Sequence, residues 1–348
     1  MMKKTKIDWC DFTWNPVTGC RHTCEYCYAR RLAQRFCGDV RLNKSSDQLQ
    51  LDAPRGIYTL KAPFLNEDGT LTTHYPAGFE PTLHEYRLDM VAQKKKPANI
   101  FVCSMADLFG EWVPTEWITR VFDACKAAPW HNYLFLTKNP HRYAELYKEG
   151  KLPLASNFWY GATATSATMM EIAADAIGEL PGKANPFLSA EPLACDLTET
   201  NGWVYANYGE YFKWIIVGAE TGNRKNKTAP RREWIENIVE AARKQKVPIL
   251  LKDSTELREV WGDDLIQEFP PDLQRPAERP LPRCEKCRFC ETKVQGNRGK
   301  TRACEIGWSA DPQYDDRHEP RHIPAHYAKQ SPLWCPLRKE DCPYEADD

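Results

Sequence analysis

Six short apolar runs recur along the 348-residue chain, each followed by a stretch with helical periodicity, and this alternation constrains the fold more than any other feature. The runs are "NIFVCSM" (99–105), "NYLFLT" (132–137), "FWYGAT" (158–163), "PFLSAE" (186–191), "KWIIVGAE" (213–220) and "VPILLKD" (247–253). Each reads as a strand covered on both faces, as strands of parallel sheets are. Between them, "VPTEWITRVFDACKAA" starts with Pro114 in the first turn and sets Trp117, Val121 and Ala124 on one face. "APRREWIENIVEAARKQ" does the same with Trp234, Ile238 and Ala241. Strands alternating with helices predict βαβ units and a parallel sheet. A further strand near "FTWNPVT" (12–18) brings the expected number to about seven. Polar or charged residues follow most of these strands, so an open, partial (β/α) TIM-like barrel fits better than a two-sided sheet, with chemistry at the C-terminal strand ends.

Two segments depart from the alternation. Residues 38–98 are polar and rich in turn formers, which predicts an insertion or cap after the first helix. From Phe269 the chain turns proline-rich ("FPPDLQRPAERPLPR"), which reads as a linker into a cysteine-rich module over 269–348, leaving 1–268 as the barrel. No apolar run is long enough to cross a bilayer, and the lysines of "MMKKTK" precede no apolar stretch, so a cytoplasmic protein without membrane contact is expected. In that compartment disulfides are rare, so 14 cysteines point toward metal.

The first cluster, "TGCRHTCEYCYARR", spaces Cys20, Cys24 and Cys27 by three and then two residues. A redox pair would use Cys24 and Cys27 and leave Cys20 unexplained. A zinc site needs a fourth ligand, for which His22 and Cys10 are candidates. An iron–sulfur cluster held by three thiolates leaves its fourth iron to a small molecule. The second cluster offers six thiols in a segment too polar to build much core of its own. Cys284, Cys287, Cys304 and Cys335 suit a closed metal site, with Cys290 and Cys342 as alternates, holding either zinc or an auxiliary 4Fe–4S cluster. His318, His322 and His326 are separated by Pro320 and Pro324, so no helix aligns them, and they read as surface residues or incidental ligands.

Cys-x3-Cys-x2-Cys after a first strand, with Tyr26 before the last cysteine, resembles the radical S-adenosylmethionine superfamily. The resemblance implies a partial barrel of that superfamily's type and a 4Fe–4S cluster on Cys20, Cys24 and Cys27. It also implies S-adenosylmethionine on the open iron, cleaved by one electron to a 5′-deoxyadenosyl radical that abstracts hydrogen from a substrate. An electron donor such as flavodoxin or ferredoxin is the implied partner. Over about residues 6–253, "IDWCDFTWNPVTGC", "CYARR", "FVCSMADLFGEWVP", "LFLTKNP", "FLSAEPL" and "WIIVGAETG" are similar to a phage-associated three-cysteine-motif family of unassigned function. The cysteine motif alone is also similar to that of the spore photoproduct lyase family.

Where the superfamily carries a Gly-Gly-Glu turn, this chain has "CSMADLFG", so Ser104 and Asp107 are the implied substitutes for its contact with the cofactor's amino group. Tyr26, Lys138, Thr163, Glu191 and Glu220 complete the implied cofactor contacts: Lys138 for a carboxylate, the glutamates for hydroxyl or amino groups. Trp14, Phe109 and Trp112 read as core or cap packing.

Net charge is −1, so the whole molecule exerts no long-range pull on nucleic acid. "GNRKNKTAPRR" is locally basic, however, and Arg224, Lys225, Arg231 and Arg232 follow a strand end. They are either solvated surface or contacts to an anionic substrate. The expected function is a radical enzyme modifying or repairing a nucleic acid or nucleotide. A radical enzyme acting on a peptide or metabolite is one alternative, and a metal-stabilised nucleic-acid-binding protein without catalysis is another.

Overall fold

The computed structural model describes residues 2–198, 208–220 and 228–273, together with 290–294, 300–304 and 321–323. The chain divides into two compact units, Met1–Leu273 and Gln274–Asp348.

The first unit opens with β1 (Lys3–Lys4), β2 (Phe12–Trp14) and β3 (Val17–Thr18), then α1 (Tyr28–Arg35) and α2 (Val40–Lys44). Next come β4 (Leu49–Asp52), β5 (Ile57–Leu60), β6 (Thr82–His84) and α3 (Met90–Gln93). The expected alternation then appears as β7 (Asn99–Val102), α4 (Thr115–Lys126), β8 (Asn132–Thr137), α5 (His141–Lys148), β9 (Phe158–Thr163) and α6 (Ala167–Gly178). It continues through β10 (Asn185–Ala190), α7 (Tyr208–Tyr211), β11 (Ile215–Val217), α8 (Arg232–Lys244), β12 (Ile249–Leu251) and α9 (Thr255–Trp261).

The main sheet has eight strands in the order β1-β2-β7-β8-β9-β10-β11-β12. All neighbours from β2 to β12 are parallel, and β1 is an antiparallel edge strand absent from the sequence expectation. Spatial order follows chain order, which is the topology of a barrel wound in one direction rather than of a doubly wound sheet.

The predicted strand over 12–18 is two strands in two sheets. Pro16 lacks an amide hydrogen and cannot continue the β2 ladder. Its carbonyl instead accepts from His84 N at 2.7 Å, where β3 pairs with β6. The expected insertion thus supplies β4, β5 and β6, which join β3 in a four-stranded sheet, β3-β6-β5-β4, over a small core of Leu49, Tyr58, Leu60 and Ala77.

Alternation along each strand divides the core. Phe158, Tyr160 and Ala162 of β9 join the outer core with Trp117, Val121 and Phe122 of α4, while Trp159 points to the inner face. The inner core collects Trp9, Phe101, Leu134, Trp159, Phe187, Trp214 and Leu250. Trp9 shows how strongly the sheet curls. Its ring centroid lies 4.5 Å from that of Phe101 on β7 and 6.1 Å from that of Phe187 on β10. Strands three places apart in a flat sheet stand roughly 14 Å from each other, too far for one indole to touch both.

The N-terminal end of this half-barrel is sealed by residues expected in the linker. Phe269 packs on Trp214 at 5.3 Å, and Leu273 is buried. Asn99 Nδ2 donates to Leu273 O and Asn132 Nδ2 to Asp272 O, both at 2.9 Å. Residues through Leu273 therefore belong with the barrel, because their backbone acceptors are satisfied there.

In the second unit, β13 (Cys290–Val294), β14 (Lys300–Cys304) and β15 (Arg321–Ile323) form an antiparallel sheet with Cys290 opposite Cys304.

Candidate functional site

With one end sealed, the inner face of the half-barrel opens at the C-terminal strand ends into a cleft of about 580 Å³. The same alternation that sends Phe187 to the apolar floor sends Ser189 and Glu191 to the cleft wall two and four residues later. Leu250 and Lys252 repeat that pattern at β12. The site is therefore layered, with an apolar, water-excluding base beneath a polar rim.

All three cysteines of the first cluster border this cleft. Their loop is held from both sides at Gly19, whose amide donates to Met105 O at 2.9 Å, while Cys20 N donates to Phe79 O at 3.2 Å. Gly19 has φ +87°, and a Cβ there would sit 2.2 Å from Glu80 O. Only glycine admits so close an approach in that conformation. Arg30 reaches back along α1, donating to His22 O at 2.8 Å and lying over the Phe79 ring at 4.8 Å. Cys27 is the N-cap of α1, its Sγ accepting from Arg30 N at 3.3 Å. Burial pushes the Cys20 thiol up to about 12, with the Asp107 carboxylate adding to the rise. A cation bound at the thiol would act in the opposite direction.

Asp107 is the electrostatic strut of the site. The residue is 5% exposed, and its carboxylate accepts from four donors: His22 Nε2 at 2.9 Å, Lys138 N at 2.9 Å, Thr137 Oγ1 at 2.7 Å and Phe109 N at 3.0 Å. Burial acts to raise its carboxyl, but the hydrogen bonds from His22, Lys138 and Thr137 outweigh it and hold the group below the ordinary carboxylate value. One side chain thus ties the cysteine loop to the end of β8. Asn15 does the same for β7, its Oδ1 accepting from Ser104 Oγ at 3.2 Å and Met105 N at 2.9 Å.

The expected contact residues converge unevenly. Tyr26, Ser104, Asp107, Lys138, Thr163, Glu191 and Glu220 all line the cleft. Lys138 Nζ lies 5.6 Å from the centre of the Tyr26 ring, and burial raises the Tyr26 phenol against the pull of that ammonium. Glu191 is ion-paired with Lys252, and Gly218 makes the space for this pair: a Cβ there would stand 2.9 Å from Glu191 Cγ.

Arg231 and Arg232 do not line the cleft. Arg232 pairs with Glu236 at 2.8 Å and donates to the Val260 and Trp261 carbonyls at 3.3 Å, closing the last turn of α9. The prediction of a substrate contact at Arg232 thus meets a residue engaged in helix packing. Arg224, Lys225, Cys284, Cys287, Cys335 and Cys342 lie outside the described residues. Trp14 and Phe109 are core residues, and Trp112 packs edge-on to His22 at 4.9 Å.

Sequence reasoning passed over Asn15 and Ser189. Ser189 Oγ is buried and has no hydrogen-bond partner among the described residues. The signal available for it was its place two residues before Glu191 on one strand face. Cys10 lies in the inner core. Among the described residues no three His, Cys, Asp or Glu side chains converge on a single-ion site.

No helix among the described residues is long and apolar enough to cross a membrane. Over residues 4–303 the chain matches the family model described as "Protein of unknown function (DUF5131)". No curated protein matches it. Among solved structures, a cysteine-to-alanine mutant of spore photoproduct lyase aligns with TM-score 0.43 and 9% identity, covering 72% of this chain and 78% of that one. Spore photoproduct lyase complexed with a dinucleoside spore photoproduct aligns with TM-score 0.38 and 10% identity, covering 86% and 70%. Likeness at this level carries no functional assignment.

Proposed function

The chain belongs to the DUF5131 family of unknown function, and we propose that it is a radical S-adenosylmethionine enzyme acting on a nucleic-acid base or nucleotide. The observation that carries this reading is the placing of Cys20, Cys24 and Cys27 together on one cleft at the C-terminal strand ends. A mononuclear zinc site needs its ligands about one centre. A 4Fe–4S cluster takes each thiolate on a separate iron, so three thiols on one cleft suit it and leave one iron for a small molecule.

In this reading the three cysteines hold the cluster, and the polar rim receives S-adenosylmethionine and substrate. When bound, the pair would supply hydrogen-atom abstraction driven by a single electron. The protein's own contribution is position and dryness. Asp107 and Asn15 brace the loop and the strand ends. Lys252 is oriented by Glu191, and the apolar base beneath Ser189 excludes water from the reacting groups. Lys138, Thr163 and Glu220 offer a donor ammonium, a hydroxyl and an acceptor carboxylate. The nucleic-acid preference is supported by Arg224, Lys225 and Lys227, which follow β11 in the sequence. In the second unit the strand register sets Cys290 opposite Cys304, and the proposal includes a second metal site, zinc or auxiliary cluster, on Cys284, Cys287, Cys304 and Cys335 with Cys290 and Cys342 as alternates.

Anaerobic purification tests the reading. A cluster on these thiols gives about four irons per chain at this site, lost in Cys24→Ala, with methionine and 5′-deoxyadenosine formed from S-adenosylmethionine under dithionite. Zinc alone, without visible charge-transfer absorbance, refutes it. Stimulation of cleavage by DNA or tRNA supports the substrate class, and stimulation by a peptide or metabolite fraction alone replaces it.

A further inference from the structure

We propose that α1 and the cap segment 73–80 form the substrate wall of the cleft, which takes one unpaired nucleotide with its base on Tyr28 and Tyr75 and its phosphate at Arg31. The inference rests on the reading of this cleft as one that acts on nucleic acid, and it names the residues and the strandedness which that reading leaves open.

Two chemically distinct sets of residues line the cleft. Strand ends supply the polar set. The other set comes from α1 and from the insertion: Tyr28, Arg31 and Leu32, with Tyr75 and Phe79. Spacings of three and four residues place Tyr28, Arg31 and Leu32 on one face of α1, while the helix buries Ala29 and Ala33. Tyr28 is 47% exposed and Leu32 40%.

Both parts of this wall are fixed before any ligand arrives. Thr73 Oγ1 donates to the carbonyl of Phe36, the C-cap of α1, at 2.8 Å, and Asn43 Nδ2 on α2 donates to Pro76 O at 3.1 Å. Arg87 Nη2 donates to His74 O at 3.1 Å, and the Phe79 carbonyl holds the cysteine loop through Cys20 N. The Tyr28 ring is pinned by its hydroxyl, which donates to Ser104 O at 2.8 Å. Burial raises this phenol and the Glu191 carboxylate adds to the rise, which sets the ring beside the polar rim. With the hydroxyl engaged, what Tyr28 offers the cleft is a π-face. Rings held in place lose little freedom when a ligand stacks on them.

Charge selects the ligand further. Between Glu25 and Asp39 the chain carries three arginines and no acid. Arg30 is engaged with the His22 carbonyl and the Phe79 ring. Arg31 is exposed on the cleft, and its guanidinium has no hydrogen-bond or ion-pair partner among the described residues. Lys252, by contrast, is paired with Glu191, and Lys138 lies beside Tyr26. A planar guanidinium without a carboxylate matches phosphate oxygens. Aromatic faces with a cation suit a base and its phosphate. A peptide is gripped through main-chain hydrogen bonds, whereas α1 bonds its own backbone groups within the helix. Bases inside a duplex have both faces stacked on neighbours, so only an unpaired one can lie on Tyr28. A cleft of about 580 Å³ is the size of a pocket for a small ligand, far short of a double helix.

The test follows the anisotropy of labelled short oligodeoxynucleotides on the full, iron-reconstituted chain with S-adenosylmethionine and no reductant. The probes are a single strand, the same strand with abasic sites, and the duplex. The intact single strand should bind about ten-fold more tightly than the abasic one, and more tightly than the duplex. Tyr28→Leu and Tyr75→Leu should each remove most of that preference. Arg31→Gln should weaken intact and abasic strands alike and lower the salt slope by about one, and Arg31→Lys should keep the slope. Arg35→Gln, on α1 but outside the cleft lining, controls for general surface charge. Equal affinity for intact and abasic strands, tighter binding of the duplex, or equal loss in Arg35→Gln and Arg31→Gln overturns the wall and leaves the nucleic-acid reading standing. So does lowered affinity for S-adenosylmethionine, read by calorimetry, in variants whose strand affinity is intact. A wild type that binds none of the three probes refutes the nucleic-acid reading, and the wall falls with it. Because Arg31 is exposed, its variants decide the matter even where Tyr75→Leu fails to fold.

Discussion

Replacing Asp107 by asparagine separates two roles that the residue could hold, cofactor contact or internal strut. Each carboxylate oxygen accepts from one backbone N–H and one adaptable side chain: Phe109 N and Thr137 Oγ1 on Oδ1, Lys138 N and His22 Nε2 on Oδ2. Threonine can rotate its hydroxyl and histidine can exchange tautomers to accept from an amide NH2. The two backbone groups only donate. Whichever way the asparagine amide turns, one buried backbone N–H faces another donor. An orphaned buried donor costs about 1–3 kcal/mol, and loss of the charge-assisted bonds adds roughly 1 kcal/mol. Asp107→Asn should therefore destabilise the barrel by about 2–4 kcal/mol, read as a lower urea midpoint with unchanged slope. Iron retention should fall with it, because the His22 tether of the cysteine loop is weakened. A variant of wild-type stability with reduced affinity for S-adenosylmethionine would refute the strut and restore the cofactor contact.

Gly19→Ala places a methyl against Glu80 O in a left-handed conformation that costs an L-residue roughly 1–2 kcal/mol, so reconstituted iron should drop sharply while far-UV circular dichroism changes little. Ser189→Ala removes a buried hydroxyl without a partner among the described residues. Its ligand-free urea midpoint should stay level or rise, while affinity for S-adenosylmethionine measured by calorimetry falls several-fold, by about 1 kcal/mol. His84 is buried against Thr18 at 2.8 Å, and desolvation holds its imidazole well below the ordinary 6.5. Below pH 6.5 the unfolded chain binds a proton that the folded one refuses, so stability is complete above that pH and is lost as pH falls, by up to about 1.4 kcal/mol per unit. Urea titrations between pH 7.5 and roughly 5.5 should show this slope, and His84→Gln should flatten it.

Most of the scaffold was legible in the sequence because its signals are local. Apolar runs of strand length and amphipathic stretches between them depend on neighbours two to four residues away, and they predicted β7 to β12, α4 and α8 to within a few residues at the ends. The cysteine spacing was legible for the same reason. The split at Pro16 was also written locally, in a residue that cannot donate to a ladder, yet the run "FTWNPVT" reads as continuous unless that missing donor is weighed.

What the chain determined by itself, then, is the succession of elements, the side of each that is covered and the three thiols at the first strand–helix junction. What only the tertiary structure decided is which strand-end residues meet. Curl around Trp9 brings Ser189, Glu191 and Lys252 to one rim, and long-range bonds make Asp107 a brace while Arg232 closes a neighbouring helix. Side-chain periodicity records whether a position is inside or outside. It holds no record of how far a sheet bends or which distant donor reaches a carboxylate, because those depend on contacts between segments tens to hundreds of residues apart.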